Sequence, residues 1–467
     1  MKPSELVLNR IAAVVGEKNV IRNAAEMTGY MREWRDKWVG VSPLVVRPGN
    51  TDEVSKILGI AHETDTKIVP QSGNTGLVGG GVPSPAGTEV LLSLDRMTRI
   101  ITVDAADFSI TVEAGATLKS VRDAADTADR LFPLSLASEG TCRIGGNLST
   151  NAGGVNVLAH GTARDLCLGL EVVLADGRIW NGLKTLRKDN TGYDLKNLFI
   201  GAEGTLGVIT AATLKLLAKP KRHETAFVAV PTTEAAVALL SLLKSAAGSH
   251  LVACELLPSI GIQFTTTQMG TRHPLAAPSP WFVLAELADA PTDSLADCLE
   301  TALAQGTATD AVIAHSAQQR LDLWALRENM SEAQKFEGGS IKHDVAVAVS
   351  QVPAFIRQAT HAVEQFMPEA RIVCFGHLGD GNMHFNVSQP LGMEKQAYLA
   401  RWPEMNRIVH DIVRTLNGSI SAEHGIGRLK RDEMLRVKSP VELHLMRGLK
   451  AMLDPKGILN PGKVLPE

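Results

Sequence analysis

The sequence predicts an α+β protein of two domains and a short C-terminal segment, and three observations carry that reading. Over the first 218 residues, strand-like runs alternate with Gly-rich stretches at Ser72–Gly81, Gly140–Gly154 and Gly201–Gly207. From residue 219 the rhythm becomes β-α-β-β-α-β, the split arrangement of a ferredoxin-like module. A later stretch, "RIVCFGHLGDGNMHFNV" at 371–387, reads as a β-hairpin that carries two histidines. The boundaries fall at 1–218, 219–420 and 421–467, with Lys219-Pro220-Lys221 at the first break.

Taken in order, residues 1–16 form an amphipathic helix through Leu6, Ile11, Val14 and Val15, and do not read as a removable targeting segment. At 51–64 a helix places Val54, Ile57, Leu58 and Ala61 on one face, capped by Asn50 or Thr51. Strand 67–69 leads into "PQSGNTGLVGGGVP"; further strands follow at 89–93, 98–103 and 108–113, then a helix at 116–130. "LEVVLADGRIWNG" turns on Asp176-Gly177. The second region has strands at 227–230, 251–256, 281–287 and 309–314, helices at 233–247 and 292–305, and a loop at 270–280. A second such half would make an internal structural repeat. Residues 316–336 form one helix, a strand and a helix (352–366) precede the hairpin, and a long helix spans 394–416.

Composition narrows the function. Hydrophobic residues make up 45% and charged residues 21% of the 467, ordinary globular values. A net charge of −3 offers no electrostatic footprint for nucleic acid. No apolar run is long enough for a membrane span. Cys142, Cys167, Cys254, Cys298 and Cys374 are scattered and form no CxxC, which points to reduced thiols in a cytoplasm and away from a thiolate zinc site.

The hairpin raises metal chemistry. With Asp380-Gly381 as a two-residue loop, His377 lies opposite His384, with Cβ atoms roughly 4.5–5.5 Å apart. That spacing suits two imidazoles on one ion, and Asn386 shares their face. "SAEHGIG" offers Glu423 and His424 for a third ligand; the bland reading is that Glu423 caps a helix. A His₂Glu set leaves one position open, as in catalytic zinc, with manganese as the alternative. On the 316–336 helix, Arg327 and Ser331 are i and i+4 and share a face, while Lys342 lies on the next strand. Taken alone, each reads as a surface residue.

"PQSGNTGLVGG", "RIGGNLSTNAGG", "GTARDLCLGLEVVLADG" and "NLFIGAEGTLGVIT" resemble the FAD-binding segment of the vanillyl-alcohol-oxidase type flavoproteins. "GHLGDGNMHFNV" and "SAEHGIG" narrow the resemblance to the D-2-hydroxyacid dehydrogenase branch, nearest to the dehydrogenases of D-2-hydroxyglutarate, and it covers nearly the whole chain. The resemblance implies a vanillyl-alcohol-oxidase type FAD-binding domain, a ferredoxin-like substrate (cap) domain and a C-terminal segment that returns to the flavin. FAD would sit on Pro70, Gln71, Ser72, Gly73, Asn74, Thr75, Gly76, Leu77 and Gly80, its pyrophosphate on the Ser72–Gly76 loop. Ser138, Glu139, Gly140, Thr141, Gly145, Gly146, Asn151, Gly153, Gly204, Ile209 and Asn460 would complete the site. Some relatives attach the flavin through a histidine near the position of Asn74, so non-covalent FAD is expected here. Cys142 reads as a structural thiol.

The family pattern assigns His377, His384 and Glu423 as metal ligands and His424 as general base, an assignment open to exchange between Glu423 and His424. It also assigns Arg327, Ser331, Lys342, Asn386 and His424 to substrate; serine replaces the threonine expected at position 331. Two cations favour a dicarboxylate. The expected reaction is FAD- and zinc-dependent oxidation of D-2-hydroxyglutarate to 2-oxoglutarate, with D-malate also accepted. The alternatives are a D-lactate or glycolate dehydrogenase of the same chemistry, a non-redox flavin transferase, and a binding module. No nicotinamide fingerprint is present, so the acceptor is expected to be an electron-transfer flavoprotein, a quinone or a cytochrome; a homodimer would be unsurprising.

Overall fold

The computed structural model describes residues 2–466, leaving Met1 and Glu467 outside, and the chain divides into two compact units. One comprises Met1–Gly154, Gly161–Lys219 and Glu423–Glu467; the other comprises Val155–His160 and Pro220–Ala422. The C-terminal residues, set apart as a third segment by the sequence reading, therefore fold as part of the first unit. The cause is backbone pairing: Ile68 N–H donates to Ile458 O (2.8 Å), and Asn460 N–H donates to Ile68 O (2.8 Å).

The first unit holds two main sheets. Val45–Val46, Glu89–Ser93 and Lys67–Gln71 run parallel, with Val20–Ile21 at the edge. Parallel strands need a crossover, supplied by the helix Thr51–Glu63, which buries Val54, Ile57, Leu58 and Ala61. The Asn50 side chain accepts the Glu53 N–H and caps it. The second sheet is antiparallel, in the order Ile100–Asp104, Ser109–Glu113, Val208–Lys215, Cys167–Val173, Ile179–Gly182. The N-terminal helix Glu5–Val15 buries Leu8, Ile11, Ala12 and Val15. Leu6, expected on that face, lies off the stripe and is 73% exposed.

The second unit is one antiparallel sheet of seven strands. Its elements are β1 (His223–Val230), α1 (Thr233–Ala247), β2 (Leu251–Pro258), α2 (Ser259–Met269), β3 (Trp281–Ala288), α3 (Ser294–Ala304) and β4 (Asp310–Ile313). Then come α4 (Ala317–Glu328), α5 (Met330–Ala333), β5 (Ser340–Ala346), α6 (Val352–Phe366), β6 (Arg371–His377), β7 (Asn382–Ser388) and α7 (Trp402–Thr415). The strand order is β4-β1-β3-β2-β6-β7-β5. Its first four strands are the ferredoxin-like order. The second half repeats the arrangement in reverse: β5-α6-β6-β7-α7, closed by a bridge from Ser419 to Ala346. The halves join edge to edge where Glu255 pairs with His377 and Leu256 with Gly376.

Three sequence expectations are corrected here. Residues 259–269, left without an element, form α2. The helix expected at 394–416 is two, Lys395–Leu399 and α7. The helix expected at 316–336 stops at Glu328 and, after Asn329, whose backbone stays in the right-handed region (φ −77°, ψ −7°), restarts as the single turn α5.

Candidate active site

In the first unit the three Gly-rich stretches come together. A Cβ on Gly73 would lie 2.7 Å from Thr141 O, one on Gly145 2.8 Å from Ala114 Cβ, and one on Gly204 2.6 Å from Pro70 Cγ. The first contact presses the loop after Gln71 against the 138–146 segment, and the last sets the 201–207 turn on Pro70 in the strand that leads into that loop. Gln71 is buried and its Nε2 donates to Tyr30 O and Gly81 O, both 2.8 Å. Asn74 sits at φ 51° and its Nδ2 donates to Gly29 O and Arg32 O. The N–H groups of Gly73, Asn74, Thr75, Gly76 and Leu77 meet no backbone or side-chain acceptor among the described residues. Such a run of outward N–H groups is what an anion uses.

The remaining candidates for FAD belong to the same unit. Ser138 O accepts from Thr141 N–H (2.9 Å) and Cys142 N–H (2.8 Å), forming the turn that holds Glu139 and Gly140; Glu139 also pairs with Arg122. Gly146 approaches Ser72. Asn151, at φ 51°, accepts the Arg164 N–H (3.0 Å), Gly153 is buried next to it, and Ile209 is buried in its strand. Asn460 is buried, its Nδ2 donating to Gly80 O (2.9 Å) and Glu203 O (2.8 Å). Its Oδ1 is buried with no hydrogen-bond partner among the described residues. The free N–H run and this orphaned oxygen fit a large phosphate-bearing group with a polar edge. Cys142 is buried and burial pushes its thiol up, as for a structural cysteine.

Glu203 was not singled out by the sequence reading. It is buried, and its carboxylate accepts N–H groups of Ile426 (2.7 Å) and Gly427 (2.8 Å). Burial nonetheless pushes its pKa up. It thus pins the "SAEHGIG" turn, on which Glu423 accepts the Gly154 N–H at 2.6 Å. His424 is half-buried on the same turn.

In the second unit, the hairpin register differs from expectation. His377 pairs with Asn382, and His384 pairs with Phe375, so four residues (378–381) form the turn. Gly381 is the reason: it sits at φ 81°, its N–H donates to His377 O (3.0 Å), and a Cβ there would lie 2.0 Å from Val347 O. The histidines are diagonal rather than opposed, yet still share a face, because the shift is two residues. Their ring centroids are 5.6 Å apart at 79°.

The same face carries the other candidates. Lys342 lies opposite Asn386 in the ladder, and Asp344 opposite His384. Asn386 is buried, its Nδ2 donating to Gln334 Oε1 (3.1 Å). Arg327, at the end of α4, is 9% exposed; its guanidinium lies over the Phe375 ring at 4.8 Å. Ser331 is exposed on the separate turn α5, whereas Arg327 is buried at the end of α4.

Glu255, also missed from sequence, lies behind this array. Its Oε1 is 2.7 Å from His377 Nδ1 and its Oε2 accepts Arg327 Nε at 2.6 Å, with the side chain 1% exposed. Burial alone would raise its pKa, but His377 and Arg327 hold it at about 2. A glutamate inside the apolar run "LVACELLP" was the available signal, since a buried carboxylate must find partners.

Residues 219–464 match the family described as "FAD linked oxidases, C-terminal domain", and residues 42–182 match "FAD binding domain". The chain is 36% identical to the mitochondrial D-2-hydroxyglutarate dehydrogenase of Arabidopsis thaliana, over 97% of this chain and 80% of that protein. It is 34% identical to the D-2-hydroxyglutarate dehydrogenase of Xanthomonas citri pv. viticola, over 94% and 93%. With that of Stutzerimonas stutzeri it shares 32% identity over 98% of both chains. Among solved structures, p-cresol methylhydroxylase superposes with a TM-score of 0.76 at 16% identity, over 98% of this chain and 96% of that one. 4-Ethylphenol oxidase from Gulosibacter chungangensis gives 0.74 at 18%, over 100% and 99%. These two establish a shared fold of the vanillyl-alcohol-oxidase type.

Proposed function

Because the chain belongs to the FAD-linked oxidase family, as a near full-length relative of D-2-hydroxyglutarate dehydrogenases, we propose that it oxidises D-2-hydroxyglutarate, and also D-malate, with FAD and zinc. The observation that carries this reading is the array on one sheet face. Paired imidazoles 5.6 Å apart stand beside a buried arginine and, two ladder positions along, a lysine opposite an asparagine. Few other chemistries call for two neutral nitrogen ligands next to two cations.

His377, His384 and Glu423 would hold the zinc, and the Gly-rich loops with Asn460 the FAD. When bound, these groups supply a Lewis acid for the substrate hydroxyl and a two-electron acceptor for the hydride from C2. The protein's own share is positioning and proton transfer. Arg327 presents its Nη edge to the C1 carboxylate, because its Nε is committed to Glu255. Lys342 takes the distal carboxylate and Asn386 steadies the pair. His424 accepts the hydroxyl proton on an imidazole nitrogen, the side-chain type that titrates near working pH.

The test is a substrate panel on purified protein, with flavin spectrum and metal content recorded first. Dye reduction should be fastest with D-2-hydroxyglutarate, and Lys342→Ala should cost that substrate far more than D-lactate. Equal losses on both would remove the dicarboxylate reading. Arg327→Ala, which strands a buried carboxylate, should cost more than about 100-fold in kcat/KM. Glu423→Gln with full metal content would show that Glu423 is not a ligand.

A further inference from the structure

We propose that Glu255 is a positioning residue that ties the metal ligand His377 to the carboxylate anchor Arg327, so that the two cannot be adjusted independently. The inference rests on the assignment of His377 and Arg327 above. One carboxylate makes both contacts, each oxygen serving one partner: Oε1 to His377 Nδ1 at 2.7 Å, Oε2 to Arg327 Nε at 2.6 Å. At 1% exposure, water cannot replace either contact. The backbone fixes the carboxylate in turn, since Glu255 and His377 face each other at the seam between the two halves of the sheet.

Two consequences follow from the chemistry of an ionised carboxylate, which only accepts hydrogen bonds. At His377 it places the imidazole proton on Nδ1 and leaves the Nε2 lone pair for a metal ion, the outer-shell arrangement that metal-binding histidines use. At Arg327 it occupies the Nε edge while Phe375 stacks on the guanidinium plane, so only the Nη edge remains to meet a substrate carboxylate. Metal affinity and substrate affinity then depend on one side chain that touches neither ligand.

Glu255→Gln separates this role from a merely structural one. The amide offers one acceptor and one donor, so one of the two contacts must reverse. Either it donates to His377 Nδ1 and drives the proton to Nε2, or it meets Arg327 Nε donor to donor; the contact that keeps the oxygen loses its charge assistance, so both partners are loosened. The measurements are zinc affinity of the FAD-loaded protein, by competition with a chelator and without substrate, and KM with kcat for D-2-hydroxyglutarate. Zinc affinity should fall about 10- to 100-fold and KM should rise by about 10-fold or more, with FAD content unchanged. A change in one quantity alone, or in neither, overturns the coupling.

If Glu255→Gln does not fold, Arg327→Gln supplies the reading. Arg327 is no ligand, yet its loss should weaken zinc binding by about threefold or more, because Glu255 loses half of what holds it against His377. Unchanged zinc affinity in Arg327→Gln overturns the coupling. A His384→Ala protein that binds zinc as the wild type does would instead show that the metal assignment is wrong, and the inference would fall with it.

Discussion

Two glycines of one loop, Gly73 and Gly76, test the proposed cofactor cradle, and they should fail in different ways. At Gly73 an added Cβ would meet Thr141 O at 2.7 Å, Cys142 Cα at 3.0 Å and Arg143 N at 3.1 Å, all backbone, so no side chain can swing aside. Relief requires moving one loop off the other, a cost of about 1–3 kcal/mol by analogy with overpacked cores. Gly73→Ala should therefore destabilise the apoprotein itself by that amount, read as a lower denaturation midpoint without FAD. Gly76 has nothing within 4 Å of its Cβ position. Gly76→Ala should leave apoprotein stability within about 0.5 kcal/mol of wild type, as for an ordinary surface change. If the free N–H run cradles a pyrophosphate, however, the new methyl group obstructs its approach. FAD affinity, followed by quenching of flavin fluorescence on titration, should then drop about tenfold or more, about 1.4 kcal/mol. A Gly76→Ala protein that takes up FAD like wild type would refute the cradle, and an unshifted apoprotein midpoint for Gly73→Ala would refute the close-approach argument.

Other outcomes can be checked as directly. Asn460→Ala leaves Gly80 O and Glu203 O without their shared donor, so FAD retention through gel filtration should fall well below wild type; full retention would place the cofactor elsewhere. Glu286 is buried against Arg320, Trp324 and Thr225; burial would raise its pKa, but His223, Arg320 and Trp324 bring it from 4.5 to about 2. A carboxyl depressed on folding stabilises above its unfolded pKa, and here that contribution, about 3 kcal/mol, is lost as pH falls from about 5 to 2. Denaturant unfolding of wild type and Glu286→Gln should differ most near pH 7 and converge by pH 2; a gap that ignores pH would contradict the assignment. Chelation should abolish hydroxyacid-dependent dye reduction and leave the flavin absorbance intact, with recovery on adding zinc. All five cysteines are at most 5% exposed, so a thiol reagent should find them only after denaturant.

Much of the fold was legible because periodicity and capping were clean. The helix at Thr51–Glu63 announced its stripe and its Asn50 cap, and the split β-α-β-β-α-β order followed from alternating strands and helices. What stayed hidden had specific causes. In α2, Ile260, Ile262 and Phe264 alternate as in a strand and three threonines follow, so local preference opposed the helix that burial imposes. The hairpin register turned on Gly381, whose close approach to Val347, just past the end of β5, cannot be read locally. Arg327 and Ser331 were spaced for a shared face, but Arg327 is buried at the end of α4 and Ser331 is exposed on the separate turn α5. Glu255 is invisible as a hub because its partners lie 72 and 122 residues away. The histidine pair survived a wrong register because a two-residue slip preserves the side of the sheet.

The bridge between Ile68 and Leu459 has a consequence for how the molecule is made. A growing chain emits the Gly-rich loops early, but Leu459 and Asn460, which prop them, follow far later in the sequence. Between these events the whole second unit must be synthesised. A chain stopped before Leu459 therefore lacks the partners that brace Ile68 and Gly80, and the loops gain that support only after the second unit has been made.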